Sequence, residues 1–172
     1  RTRFKVLTIL VAFIAGFGSG VGLKTAYEAI SSKPYYWKSP PIIVNCYGED
    51  FSEPQLVRAI SYWTLRGQSI GFYEHKPSKK TCENEWLEGF IILRRSDLLD
   101  RDESTLANTR RYTSLTRMKG AVIYYTPGTQ NLDMINEHEL GHALGFSHVE
   151  VVGNIMHPLY HKMGRDFLLP TE

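Results

Sequence analysis

The segment HELGHALGFSHVEVVGNIM, residues 138–156, constrains the fold more than any other part of the 172-residue chain. His138 and His142 are four residues apart, so on a helix both imidazoles share one face and can reach a single metal ion. A straight helix would carry His148 about 15 Å along the axis from His138, too far to bind that ion. The chain must turn back, and Gly145 lies where the turn is needed, because glycine enters left-handed conformations at little cost. The spacing therefore predicts a zinc site of three histidines.

Glu139 is next to a predicted ligand but about 100° around the helix, so its carboxylate points beside the metal ion. Three neutral histidines leave the ion its double charge and one open position, which lowers the pKa of a bound water toward about 7. We expect Glu139 to take a proton from this zinc-bound water and pass it to the leaving amine. The remaining histidines, His75, His157 and His161, are predicted to be surface or hydrogen-bonded residues.

HELGHALGFSH followed by NIMHP resembles the signature of the metzincin metalloendopeptidases, and most closely that of their matrixin branch. The resemblance implies that Met156 forms an apolar floor under the zinc and is not a ligand. It also implies that Pro158 and Tyr160 shape the S1′ pocket, which receives the substrate side chain after the scissile bond. The likeness covers roughly residues 36–168, but only residues 138–158 are highly specific.

The resemblance implies an α+β fold, with a twisted, mostly parallel sheet of about five strands, one antiparallel edge strand and two long helices. Alternating and β-branched residues predict strands over PIIVNC, SIGFYE, EGFIILRR, LANTRRY and GAVIYY. In the family the edge strand pairs with an extended peptide or protein substrate, and LANTRRY resembles that strand. Leu106, Ala107 and Asn108 are therefore candidate substrate-binding residues.

Two helices are predicted from apolar residues at helical spacing. Ser52 and Gln55 have the form of a capping box at the start of the first helix, and Gly67 is a natural end for it. The second helix lies in NLDMINEHELGHAL, with Asp133 in its first turn.

The chain departs from the matrixin pattern around the last strands, where that family usually carries a structural zinc and calcium sites. Asn108 stands where one structural-zinc histidine is expected, and GAVIYYTPGTQ has neither histidine nor an acidic cluster. We therefore expect one catalytic zinc ion and no structural zinc or calcium.

The N-terminal segment has the features of a membrane anchor. RTRFK is followed by an uncharged run at residues 6–23, and a helix of that length would cover about 27 Å, close to the hydrocarbon thickness of a bilayer. This pattern predicts one transmembrane helix in an anchor at residues 1–23, a juxtamembrane linker at 24–35 and a zinc metallopeptidase domain at 36–172. Three basic residues before the run, against Lys24 after it, place the N terminus in the cytoplasm and the domain outside it.

A cleaved signal peptide is the alternative to the anchor. Gly18-Ser19-Gly20 is a possible cleavage site, and the domain would then be secreted. Cys46 and Cys82 fit either topology, since in an oxidising compartment they could form a disulfide, although two unrelated buried thiols are equally compatible with the sequence. The basic residues are scattered and the net charge is only +2, so nucleic acid is not an expected partner.

These features together predict a membrane-anchored zinc endopeptidase whose domain is periplasmic, extracellular or lumenal. The alternative is a non-catalytic, membrane-tethered binding or structural module that retains a zinc site. Such a module would be free to lose its general base, whereas Glu139 is present. The sequence therefore favours the enzyme.

Overall fold

The computed structural model describes residues 35–96 and 105–167. The predicted anchor and all of the predicted linker except Tyr35 lie outside these residues. Within the described ranges, no helix combines the length and the apolar character that a membrane crossing requires. Tyr35 already belongs to the folded domain, because its amide donates to the carbonyl of Gly145 at 3.2 Å.

Among the described residues, six strands form one sheet beside three α-helices and a 3-10 helix. The strands are β1 (Tyr36–Trp37), β2 (Ile42–Asn45), β3 (Tyr73–Glu74), β4 (Phe90–Arg95), β5 (Ala107–Ser114) and β6 (Arg117–Tyr125). The helices are α1 (Glu53–Thr64), α2 (Lys79–Glu83), α3 (Ile135–Leu144) and the 3-10 helix (Tyr160–Lys162).

The sheet is mostly parallel, as expected. β3, β2, β4 and β6 lie side by side in parallel, and β1 pairs with the first two residues of β6. β5 runs antiparallel to β6 over its whole length, so it forms the one antiparallel edge strand. The two-residue β1 makes the sheet six strands rather than the expected five or so.

The central strands are buried on both faces, which is typical of parallel sheets. On one face Leu93 and Ile123 join the main core with Trp63 of α1 and Leu140 of α3, and all four are fully buried. On the opposite face Ile92 belongs to a small second cluster, which partly buried aromatic residues cover. The two long helices therefore pack on one face of the sheet, and the site lies on that side.

The start of α1 differs from the prediction. Ser52 is the N-cap residue, but its side chain makes no capping hydrogen bond, so the capping box is wrong. The end of α1 is as predicted: Gly67 has a φ of 81°, and the amides of Gly67 and Gln68 donate to the last-turn carbonyls of Thr64 and Trp63.

The strand predicted over SIGFYE is wrong for its first four residues, because only Tyr73–Glu74 is a strand. The amide of Gly71 donates to the carbonyl of Pro41 at 2.8 Å, but Pro41 has no N–H to donate in return. The regular ladder therefore begins only beyond the prolines, where the amide of Ile43 donates to Phe72.

A disulfide joins Cys46, just after β2, to Cys82 in α2, with the Cα atoms 5.4 Å apart. Helix α2 lies between the segments SIGFYE and EGFIILRR, where no helix was predicted. Its N-cap is Ser78, whose side chain accepts from the amide of Thr81. The helix brings Cys82 to the end of β2, 36 residues away in sequence.

Helix α3 begins at Ile135, later than predicted, so Asp133 is not in its first turn. Asp133 instead forms ion pairs with Arg58 at 3.0 Å and Arg165 at 2.8 Å. Glu137, the acidic residue that does lie in the first turn, is fully buried and pairs with Arg58 at 2.9 Å. These pairs tie α3 to α1 and to the C-terminal segment.

Candidate metal centre and substrate cleft

Helix α3 and the segment after it bring the three predicted ligands together. The Nε2 atom of His142 lies 3.1 Å from that of His138 and 3.0 Å from that of His148. Two Zn–N bonds of about 2.05 Å at a tetrahedral angle would separate their nitrogens by about 3.3 Å. The residues present therefore fit a zinc ion, and in the described part of the chain no other group of three histidine, cysteine or acidic residues converges in this way.

Backbone carbonyls fix the protonation of two of these rings. The Nδ1 atom of His138 lies 2.8 Å from the carbonyl oxygen of Ile155, and that of His142 lies 2.8 Å from Phe146. A carbonyl oxygen only accepts, so each Nδ1 carries the hydrogen and each Nε2 presents a lone pair. Both rings are thus set in the tautomer that binds a cation.

Burial also keeps the ligands neutral. It lowers the pKa of His138 to about 4, and burial together with the charge of His138 lowers the pKa of His142 to about 3. His148 is the most exposed of the three, and burial followed by the positive charge of Arg111 lowers its pKa as well. All three imidazoles are therefore unprotonated at neutral pH, which metal binding requires.

Gly145 turns the chain so that His148 faces the helix. It has a φ of 112°, and the amide of Phe146 reaches back to the carbonyl of Gly141, which closes the helix end. A Cβ atom at Gly145 would lie 2.2 Å from the carbonyl oxygen of Tyr35. Both the backbone conformation and the close approach of Tyr35 therefore exclude a side chain here.

Met156 is fully buried, and its side chain packs against α3 at Gly141. Its amide donates to the side chain of Asn154 at 2.8 Å, and its carbonyl accepts from the amide of Val149. A Cβ atom at Gly141 would lie 2.4 Å from the sulfur of Met156 and 2.5 Å from Trp63. The absence of a side chain at Gly141 thus lets the turn that carries Met156 pack directly on the helix.

Glu139 lies beside the histidines and is only 4% exposed. The hydroxyl of Thr109, on β5, donates to its Oε2 atom at 2.6 Å and also lies 3.2 Å from its backbone carbonyl. Burial raises the pKa of Glu139 to about 7, although the hydrogen bond from Thr109 works in the opposite direction. A carboxylate with such a pKa can both accept and release a proton near neutrality.

A cavity of about 700 Å³ lies between β5 and α3, and the three histidines and Glu139 line it. This volume is within the range of ligand-binding clefts. The substrate-binding residues expected from the sequence also line it: Leu106, Ala107, Asn108, Pro158 and Tyr160. The hydroxyl of Tyr160 donates to the carbonyl of Asp133 at 2.9 Å, which holds its ring at the cleft wall.

Thr109 and Arg111 are among the lining residues that were not anticipated. The sequence did contain an indication of their position. Thr109 and Arg111 follow Ala107 at intervals of two along the predicted edge strand, so their side chains lie on the same face of the strand as that of Ala107. The sequence did not show that this face lies opposite α3.

The other three histidines are not part of this group. His75 shares a hydrogen bond with the hydroxyl of Tyr73 at 2.6 Å. His157 is buried, and its Nδ1 atom accepts from the amide of Leu159 at 3.0 Å. His161 is exposed, so all three have the surface or hydrogen-bonded character expected of them.

Comparison with known proteins gives a result that agrees with this geometry. A family model described as matrixin matches residues 59–172, about two thirds of the chain and all of the residues that line the cleft. No curated protein matches the chain.

Proposed function

Because the chain belongs to the matrixin family, we propose that it is a zinc-dependent endopeptidase that hydrolyses internal bonds of extended peptide segments. The observation that carries this proposal is the convergence of three neutral histidine side chains beside a buried carboxylate, in the lining of an open cleft. His138, His142 and His148 would hold the ion. When bound, zinc supplies a Lewis acid that polarises a carbonyl and acidifies water.

Glu139 is the general base in this proposal. Its Oε atoms accept a proton from the attacking water while the water oxygen bonds to the carbonyl carbon of the substrate. The carboxyl group then gives the proton to the amine nitrogen as the C–N bond breaks. Thr109 orients the carboxylate through the 2.6 Å hydrogen bond to Oε2.

Strand β5 is the proposed docking edge for the substrate. Among the described strands it pairs only with β6, so its other edge has backbone groups free to add an extended peptide as a further strand. Leu106, Ala107 and Asn108 would contact that peptide. Pro158 and Tyr160 border the cleft and would favour an apolar side chain after the scissile bond.

We also propose that residues 6–23 anchor the protein in a membrane, with the N terminus cytoplasmic and the catalytic domain outside. The disulfide between Cys46 and Cys82 supports this compartment, because disulfides persist in oxidising environments. N-terminal sequencing of the mature protein tests the anchor. A start near residues 21 to 26 would show that the segment is cleaved and the domain secreted.

The catalytic proposal is tested with the purified full chain, its Glu139→Ala variant and an unstructured protein as substrate. We expect the wild type to contain one zinc ion per chain and to cleave internal bonds until a chelator is added. Glu139→Ala should keep the zinc and the fold, because Glu139 is not a ligand, but lose cleavage. Cleavage by that variant, or by wild type freed of metal, would overturn the mechanism.

A further inference from the structure

We infer that Arg111 forms a carboxylate-binding subsite in the cleft, which selects substrates with an acidic side chain on the N-terminal side of the scissile bond. This inference rests on the proposed peptidase function and adds a substrate class to it.

Arg111 lies on the face of β5 that meets the catalytic group. It follows Thr109 by two residues, so both side chains project to the same side of the strand. Thr109 contacts Glu139, and Arg111 lines the same cavity as the three histidines. Arg110 between them projects to the opposite side and is exposed.

The guanidinium of Arg111 has no anionic partner among the described residues. Its Nη1 atom is buried without a hydrogen-bond acceptor, and its nearest aromatic contact is the ring of Tyr35, 5.2 Å away. Arg110, by contrast, pairs with Glu85 at 3.3 Å. Burying an unpaired charged donor costs free energy, so this part of the cleft is suited to a ligand that brings its own carboxylate.

The position of Arg111 along the cleft follows from the relative directions of β5 and α3. Near the start of α3, the side chain of Thr129 donates to the carbonyl of Leu106. Arg111 lies by Tyr35, whose amide donates to Gly145 at the end of α3. The strand and helix therefore run in the same direction, and Arg111 lies at the end of the cleft near His148, away from Leu106.

A peptide added to β5 would favour antiparallel pairing, which is the more stable arrangement per residue. Its N-terminal half would then lie at the Arg111 end of the cleft. Arg111 is two residues, about 7 Å, along the strand from Thr109, which marks the position of Glu139. The recognised acidic side chain should therefore be the second or third residue before the scissile bond.

The test compares peptide pairs that differ only by Glu or Gln at those two positions, cleaved by the full-length protein. Wild type should have a kcat/KM about tenfold to a hundredfold higher for the Glu peptide, the range expected of a charge-assisted hydrogen bond. Arg111→Gln should bring that ratio close to one, and Arg111→Glu should favour a Lys peptide instead. Arg110→Gln is the matched control and should keep the wild-type ratio.

Each ratio of kcat/KM for the Glu and Gln peptides is measured with one enzyme preparation. If a variant has a smaller folded fraction, both kcat/KM values fall by the same factor and the ratio is unchanged. Equal cleavage of the Glu and Gln peptides by wild type, or an unchanged preference in Arg111→Gln, would overturn the subsite while leaving the peptidase function in place. A further peptide pair carries Glu or Gln at the first residue after the scissile bond, and a preference for Glu only at that position would overturn the placement. If wild type cleaves no peptide at all, the proposed function fails and the inference fails with it.

Discussion

The protonation of the Glu139 carboxyl depends on a residue that is distant in sequence. Thr109, 30 residues earlier, donates to its Oε2 atom at 2.6 Å. Burial disfavours the charged form of this carboxyl, and the hydrogen bond favours it. The two effects together leave Glu139 with a pKa of about 7 in the metal-free site, and the charge of a bound zinc ion would lower it.

Replacing Thr109 with Val should therefore weaken the base without removing the metal site. Loss of the hydrogen bond raises the pKa of Glu139 further, so the acidic limb of the kcat/KM profile should move to higher pH. Cleavage at pH 6 should fall by about tenfold, while zinc content stays at the wild-type value. A full pH profile with metal analysis measures both effects.

Thr113→Val is the control for this variant. Thr113 lies on the same strand but is exposed and away from the cleft, so its replacement should leave the profile unchanged. An acidic limb in Thr109→Val that coincides with that of wild type would show that Thr109 does not set the protonation of Glu139.

Local sequence pattern predicted the convergence of His138, His142 and His148, because each has a local reason for its position. The two histidines of α3 are one helical turn apart, and the glycine at its end is required by the turn toward His148. Thr109 and Arg111 were missed because their roles arise from packing between β5 and α3. Residue spacing along one strand does not reveal which distant helix its face will meet.

Among the secondary-structure elements, the long apolar strands were predicted well. The short strand β3, the short helix α2 and the side-chain cap at the start of α1 were not. GAVIYY and EGFIILRR lie in the buried strands β6 and β4, where apolar residues dictate the structure. SIGFYE has similar composition, but the neighbouring strand β2 is preceded by Pro40 and Pro41, which have no N–H group to extend the ladder toward the start of SIGFYE. The length of β3 was therefore set by the residues opposite it and not by its own strand propensity.

The end of α3 gives a prediction at this scale. Gly145→Ala places a Cβ atom 2.2 Å from the carbonyl of Tyr35 at a residue with a φ of 112°. The backbone must shift, and the shift should move His148 away from the other two ligands. We expect a loss of about 2 kcal/mol or more in the free energy of unfolding and a weaker affinity for zinc.

Gly48→Ala is the matched control, since Gly48 has a φ of 127° but nothing within 4 Å of an added Cβ atom. It should show the backbone strain alone, with wild-type zinc affinity. Denaturant unfolding and a competitive zinc titration separate the two quantities. Equal zinc affinity in the two variants would contradict a role for Gly145 in placing His148.

In the whole molecule, the site lies where three separately held parts of the chain meet. The sheet carries β5, α1 supports α3 through the ion pairs of Arg58, and the turn after α3 carries His148 and Met156. The family resemblance predicted the mostly parallel sheet, its antiparallel edge strand and the two long helices. The number of strands, the short helix α2 and the ion pairs of Asp133 depend on details that it does not specify.

The stability of the zinc-free protein should fall as the pH is lowered from 6.5 toward 4.5. His138 and His142 have lowered pKa values in the folded state, of about 4 and about 3, so below pH 6.5 the unfolded chain binds their protons more readily. His148, whose pKa is also lowered in the folded state, adds to this loss. Glu139 has a raised pKa of about 7 and binds a proton more readily when folded, which opposes the trend. Because the three histidines outnumber this one opposing group, the stability should fall by about 1.4 kcal/mol per pH unit or more.

Urea unfolding of chelator-treated protein at pH 6.5, 5.5 and 4.5 measures this slope. Glu139→Gln removes the opposing proton, so its stability should fall more steeply over the same range. Added zinc should raise the stability of both proteins at pH 6.5, because the ion binds only the folded ligand set. A zinc-free wild type whose stability is constant or increases on acidification would contradict the burial of neutral histidines at this site.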